Sequence, residues 1–510
     1  MKYAGIILLF SLMLSSDLFA QKNYLITTFG AKPDGITNNA VAIQKAIDAA
    51  SLNGGGKVIV PAGDFVTGVI RFKSGVEISL EQNARLIATP RRLDYGLQKA
   101  SALIIADHVS HIAITGKGTI DGNAANLLVD IYRMLNNGTL EDKEWKTYNE
   151  WHQLRPAEKN RPHIIDFTAC DHITIKNITI KNGLCWIQDY SGCSHMVIDS
   201  ITVESNTFLN NDGIDLDDCK DVKLTNSSFN VADDGICLKS YNANSCCDNI
   251  YIANCRIRSS ASAFKLGTAS HGGFKHITVK NIQVYDTFRS AIALETVDGG
   301  FLQDINISNI VAKNTGNAIF IRRGQRNPKA APGVLKGITI NNVKAEIPAG
   351  KPDTDYEMAG PAEPYPHHVF PASITGIPGY PVVGITLNHI EISYEGSSVP
   401  ELKEYNPDEM DKIPEKISGY PEFSMFGELP AWGLYMRHAE SVVLKDIKLS
   451  YLKSDKRIAC VFDDINMLSL NNFKIAKTEN YPVILFRNVK GKVLKDLQLP
   501  DGSKAAIQVK

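Results

Sequence analysis

Six stretches in the middle of this chain repeat one pattern, and a repeat of that length leaves few folds open. They are Cys185-Trp186-Ile187-Gln188, Asp212-Gly213-Ile214-Asp215-Leu216-Asp217, Asp234-Gly235-Ile236-Cys237-Leu238-Lys239, Ser262-Ala263-Phe264-Lys265-Leu266, Ser290-Ala291-Ile292-Ala293-Leu294-Glu295 and Asn317-Ala318-Ile319-Phe320-Ile321-Arg322. They recur roughly every 22 to 28 residues, the spacing of a solenoid whose units stack. Each reads as a short strand with alternating sides, so equivalent residues stand one above another. A second set shares the period, including Ile173-Thr174-Ile175, Ile277-Thr278-Val279, Ile305-Asn306-Ile307, Ile338-Thr339-Ile340, Ile385-Thr386-Leu387 and Val443 to Ile447. Many of these are followed by Asn and a further apolar pair, as period-2 strands broken at turns are. No unit of this size buries its apolar face alone, so the coils must stack. The expectation is an all-β fold, a parallel β-helix with coils about 4.8 Å apart.

Stacking turns the spacing into chemistry. The position two before the first apolar residue reads Asp212, Asp234, Ser262, Ser290, Asn317 on successive coils, and Asp233 stands beside Asp234. Crowded carboxylates repel, which raises at least one pKa and keeps a proton available near neutrality. Asp212, Asp233 and Asp234 are therefore candidate acid and base groups. The bland alternative is that Asp before Gly only shapes turns.

The rest of the chain sets limits. A formal charge of −1 over 510 residues gives no basic surface for nucleic acid. Lys2, the apolar run Ile6 to Phe10 and Ala20 make Met1–Ala20 a signal-peptide pattern, too short to favour a membrane span. The mature chain, 21–510, is then expected to be one exported domain, periplasmic or extracellular, and a monomer. Asn39 to Ala50 spaces Val41, Ile43, Ala46, Ile47 and Ala50 as an amphipathic helix, with Asn38 or Thr37 as its cap, covering the open end of the solenoid. Three insertions interrupt the repeat near 126–162, 348–381 and 400–430. The first looks helical and carries Tyr132, Trp145, Tyr148, Trp151 and His152. They are either surface loops or the walls of a sugar-binding groove. Eight of nine cysteines lie between Cys170 and Cys255 without zinc-site spacing. Cys170, Cys193, Cys219 and Cys247 each precede an alternating strand, as an interior column of thiols would, although disulfides also suit an oxidising compartment. Gly54-Gly55-Gly56 reads as a turn, and no phosphate-cradling loop implies an organic cofactor.

Asn210-Asn211-Asp212-Gly213-Ile214-Asp215 followed by Asp233-Asp234-Gly235-Ile236 resembles the paired acidic motifs of family 28 glycoside hydrolases, the polygalacturonase family. Phe29 to Asn39 resembles the start of many pectin-active β-helix proteins. Lys265 to Phe274 and Met425 to Tyr435 resemble bacterial members in particular. The resemblance implies a single-stranded right-handed parallel β-helix of the pectin lyase-like type. It also implies inverting hydrolysis of a pectin-type polysaccharide or oligosaccharide, with Asp233 as general acid and Asp212 and Asp234 activating water, and no metal or cofactor. Generic inverting pairs stand about 6.5–9.5 Å apart, more than adjacent rungs give, so outward splay of the side chains must supply the rest.

Where that family carries Gly-His-Gly and Arg-Ile-Lys, this chain has Ala261-Ser262-Ala263 and Ala293-Leu294-Glu295. The family's cations at these places bind a galacturonate carboxylate. Lys265 and Lys239 are the candidates to replace them, unless Asp217, Lys239, Glu295 and Arg322 form a charge ladder on a solvated sheet face. His271 stands in for the missing imidazole or is a plain turn histidine. Asn210 belongs to the acidic motif, and Arg322-Arg323 either meets an acidic sugar or faces water.

Two further functional readings stay open. A lyase on the same fold would use Lys265 as base, with Ca²⁺ on the three aspartates. A non-catalytic β-helix would bind glycan without turnover. The hydrolase reading, exo-acting because long loops make a pocket for chain ends, uses the most residues.

Overall fold

The structure is a computed structural model describing residues 22–148, 153–353, 367, 370–396, 407–453, 455–476, 482–500 and 507–509. Met1–Ala20, Trp151, His152 and parts of the second and third insertions fall outside the described residues. Strand pairings are parallel from coil to coil, and the fold is the expected parallel β-helix. The functional sheet contains β1 (Gln188–Ser191), β2 (Ile214–Asp217), β3 (Ile236–Ser240), β4 (Phe264–Ser270), β5 (Gly273–Thr296) and β6 (Phe301–Arg323). Ile214, Ile236, Phe264, Ile292 and Ile319 are successive register partners and all are buried in the central apolar column.

Register departs from the sequence reading at one place. Tyr190 pairs with Leu216 and Asp189 with Asp215, so Gln188, not Ile187, stands opposite Ile214. The first segment is therefore slipped by one residue, and a one-residue slip exchanges the faces of a strand. The Ile187 amide donates to Asp212 O, just as Gly213 donates to Asp234 O and Gly235 to Ser262 O. Trp186, rather than Cys185, thus occupies the Asp212–Asp234 column.

Turn chemistry explains the recurrent asparagines. Asn226, Asn254, Asn281, Asn309 and Asn342 all hold φ of 54–58°, a left-handed conformation that asparagine tolerates better than most side chains. The last four also donate to the asparagine on the preceding coil at 2.8–3.1 Å, and Asn226 donates to Asp199 at 2.7 Å. One residue type thereby satisfies the bend and the stacking together. The cysteine column behaves similarly. All nine cysteines are free thiols, and Cys193, Cys219 and Cys247 point Sγ at carbonyls of Phe167, Tyr190 and Leu216 at 3.0–3.3 Å.

The N-terminal helix α1 (Ala40–Leu52) buries Ile43, Ala46, Ile47 and Ala50. Val41 is 68% exposed, because at 100° per residue it falls on the face opposite Ile43. Asn38 Oδ1 takes the Ala40 amide at 3.0 Å, while Asn39 spends its side chain on Lys32 and Val66. Among the described residues of the first insertion only α2 (Ala124–Asn136) is a regular α-helix, and most of the other described residues to Pro162 are irregular.

The Asp-Gly pairs are not turn formers. An added Cβ at Gly213 would lie 2.5 Å from Gly235 O, and one at Gly235 would lie 2.5 Å from Ile257 and 2.7 Å from Ala263 O. These glycines let neighbouring coils approach where the aspartates leave the core. Gly235→Ala is expected to destabilise the protein by about 1–3 kcal/mol through overpacking. Denaturant unfolding checks this, and an unchanged midpoint would refute it.

Candidate active site

Asp212, Asp233 and Asp234 line one cavity of about 260 Å³ together with Asn210, Lys239 and Lys265. Asp212 and Asp234 lie two residues before β2 and β3, each just ahead of the closely packed glycine, and Asp233 precedes Asp234. One oxygen from each of the three carboxylates lies within 4.8 Å of the others. Side-chain splay therefore does not open the 6.5–9.5 Å gap expected from generic inverting pairs; the three acids crowd one face of the cavity.

Their environments separate them. Asp234 accepts from Lys265 Nζ at 2.9 Å and from the Ser262 amide at 2.9 Å. Burial opposes its charge, but Lys265 and Arg289 outweigh burial and hold its carboxyl below the usual range. Among the described residues Asp233 has no such cationic partner within hydrogen-bond reach. Burial first, then the charge of Asp234, pushes its pKa up. Its Oδ2 takes a 3.3 Å hydrogen bond from Asn210 Nδ2, and Asn210 Oδ1 in turn takes one from Arg161 at 2.8 Å. Arg161 is 1% exposed and also donates to Leu184 O and Leu209 O. A buried guanidinium thus sets which way the Asn210 amide faces.

Asp212 is raised well above the usual range by burial, with Asp215 and Asp233 adding to it and Lys239 opposing. Its Oδ1 is buried with no hydrogen-bond partner among the described residues. Lys239 Nζ lies 3.5 Å from Asp212 Oδ2, pairs closely with Asp215 and sits 4.0 Å over the Trp186 ring. The sheet face is not solvated: Asp217, Lys239, Glu295 and Arg322 are all at most 8% exposed, so the ladder of charges facing water is not what forms.

Two expected sugar contacts do not reach the cavity. His271 is absent from its lining; the Ser240 carbonyl takes the His271 backbone amide, and Ser240 Oγ takes the amides of Gly272 and Gly273. Arg322, 1% exposed, neither lines the cavity nor faces water. Its guanidinium donates to Thr375 Oγ1, Gly376 O, Glu415 O and Lys416 O at 2.7–3.2 Å, tying the third insertion to the coil stack.

Several lining residues escaped the sequence reading. Trp186 was hidden by the register slip. Arg289 immediately precedes Ser290 as Asp233 precedes Asp234, so reading the column one residue earlier finds it; its Nε lies 3.4 Å from Glu422. Arg326 is gripped through two nitrogens by Asp298 at 2.9 and 2.6 Å. The insertions contribute Gln153, Glu158 and Tyr420, whereas Tyr132, Trp145 and Tyr148 do not line the cavity. Tyr420 OH stands 3.4 Å from Lys265 Nζ.

The profile of Glycosyl hydrolases family 28 matches residues 53–358. A probable polygalacturonase of Vitis vinifera is 24% identical over 404 residues, covering 72% of this chain and 73% of its own. An exo-poly-alpha-D-galacturonosidase of Dickeya chrysanthemi is 27% identical over 251 residues, 41% of either chain. The hyperthermoactive exopolygalacturonase of Thermotoga maritima shares the fold at a TM-score of 0.56 and 20% identity, over 73% of this chain and 87% of that one. Since the profile spans more than half of the sequence and its span contains the paired acids, the chain belongs to glycosyl hydrolases family 28 and is a glycoside hydrolase.

Proposed function

We propose that this enzyme hydrolyses pectin-type polysaccharide, inverting the anomeric centre and releasing saccharide from chain ends. The observation that carries the reading is the unequal treatment of two adjacent acids: Lys265 pairs directly with Asp234 and holds its carboxyl below the usual range, while burial and the charge of Asp234 push Asp233 up, toward the form that carries a proton. Asp233 then donates that proton to the glycosidic oxygen as the bond to the leaving sugar breaks. Asp234 takes a proton from the water that attacks the anomeric carbon, and the cycle closes when that proton returns to Asp233 through solvent. Burial, Asp215 and Asp233 push Asp212 well above the usual range, so in this reading it holds the water through the Oδ1 that no described residue partners rather than acting as the principal base.

Exo-action is supported by the walls that Gln153, Glu158 and Tyr420 add to the cavity and by the name of the Dickeya relative. Lys239 and Lys265 contribute to sugar recognition through the charge they place on the cavity floor. A β-eliminating lyase would need a neutral amine, and Lys265 is held as an ammonium: burial opposes its charge, but Asp234 outweighs it. We include export in the proposal, from the leader-like pattern of Met1–Ala20.

The test is a panel of galacturonan, rhamnogalacturonan fragments and neutral side chains, with products followed by chromatography, ultraviolet absorbance and proton NMR. Saturated monosaccharide whose first-formed anomer is inverted is the expected result. Retained configuration overturns the mechanism, an unsaturated product overturns hydrolysis, and internal cleavage overturns exo-action.

A further inference from the structure

On the N-terminal flank of the cavity lies a second cluster that the reaction does not use. The strand Ile165–Thr168 pairs with β1, placing Asp166 opposite Asp189, and Asp189 in turn stands opposite Asp215. Three acids therefore share one outward column on consecutive rungs. Lys239 is committed to the last of them. His163 enters from the residues before that strand, its ring stacked on Trp186 at 5.5 Å.

One ligand atom from each of His163, Asp166 and Asp189 lies within 4.8 Å of the other two. His163 Nδ1 is sealed from water and has no hydrogen-bond partner among the described residues, although Asp189 Oδ2 is only 3.7 Å away. That gap is too long for a hydrogen bond. It suits two donors on one ion, since bonds of about 2.0–2.2 Å put neighbouring ligands roughly 3–4 Å apart. Asp215 is fully buried on the next rung and its Oδ2 also lacks a hydrogen-bond partner among the described residues.

The exposed cluster of Asp171, His172 and His195 is the useful contrast. There, His195 Nδ1 is already 2.6 Å from Asp171, and protons satisfy the group. Around His163 Nδ1 no described residue does so.

We propose that His163 Nδ1 and the carboxylates of Asp166 and Asp189 bind one first-row divalent metal ion, of the Zn²⁺ or Mn²⁺ class. One neutral imidazole and two carboxylates balance a 2+ charge, and a nitrogen donor favours these ions over Ca²⁺ or Mg²⁺. This departs from the sequence expectation of no metal. The ion fixes the His163 ring and with it the Trp186 wall of the cavity.

Tag-free protein carrying His172→Ala and His195→Ala, stripped with chelator, is titrated calorimetrically with ZnCl₂ and MnCl₂, with CaCl₂ and MgCl₂ as controls. One equivalent of Zn²⁺ or Mn²⁺ is expected, with a change in tryptophan fluorescence, and affinity at least 10-fold weaker after His163→Ala or Asp189→Asn. Asp166→Asn serves as the isosteric check where either variant fails to fold by circular dichroism. No uptake by the His172/His195 background, or uptake indifferent to all three substitutions, overturns the proposal. Because binding is read without substrate, it fails or stands separately from the proposed reaction.

Discussion

Asp233→Asn is expected to lower kcat by about 10²–10⁴-fold, the usual contribution of a positioned general acid, with the melting temperature held or raised. The amide keeps the shape and its oxygen can still accept from Asn210, so folding has no reason to suffer. It also removes the like charge that Asp233 would place beside Asp234 once it ionises. The pH profile carries the sharper signature. In the wild type Asp233 is raised, so the protonated acid persists above the usual carboxylate range and activity falls only as pH climbs through that higher value. Asp234 is lowered, so the base stays ionised and the acid limb falls below the usual range. The result is a plateau widened on both sides. In Asp233→Asn the alkaline limb disappears from the residual rate while the acid limb remains. A residual rate that keeps its alkaline limb would assign the proton to another group, with Asp212 next in line.

Lys265→Met should have the largest effect on stability. Lys265 is 3% exposed and Asp234 is 4% exposed, so removing the ammonium leaves a buried carboxylate without its direct cation. Breaking such a pair from one side costs about 3–5 kcal/mol. The sign follows from linkage. In the wild type the depressed pKa of Asp234 adds stability above the unfolded carboxyl value, and that stability is lost as pH falls through the folded value. In the variant, burial, now opposed only by Arg289 and the Ser262 amide, raises the same pKa, so stability is lost as pH rises instead. The gap in melting temperature between wild type and Lys265→Met therefore widens from pH 4 to pH 7. The acid limb of the remaining activity moves up. Adding Asp234→Asn to Lys265→Met removes the stranded charge and should recover much of the lost stability at pH 7. A double variant no more stable than the single one would show that the pair is not the source of the loss.

The repeat was legible in the sequence because a stacked coil imposes the same demand on every turn of chain. Alternating Ile and Val fill the core, asparagine both bends and ladders, and Asp-Gly marks where coils approach closely. Local chemistry of this kind leaves its record at fixed spacing, so Asp212, Asp233 and Asp234 could be found without coordinates. The slip at Ile187 shows the limit of that method. A two-residue period has only two phases, and Cys185-Trp186-Ile187 satisfies the wrong one as well as the right one.

Charge pairing was not legible at all. Lys239 and Glu295 look like an outward ladder in one dimension, yet insertion residues such as Glu158, Glu415 and Tyr420 stand over that face and leave the ladder almost wholly buried. Once water is excluded, each charge must find a partner, and the partners come from other coils and from insertions. Lys265 reaches Asp234 over 31 residues of sequence and Tyr420 over 155. The amino-acid order determined the solenoid and the position of its acids, because those follow from repeated short-range rules. Which acid keeps a proton, and that Arg322 is a strut rather than a sugar contact, was decided only by tertiary structure, because burial and long-range proximity set the electrostatics.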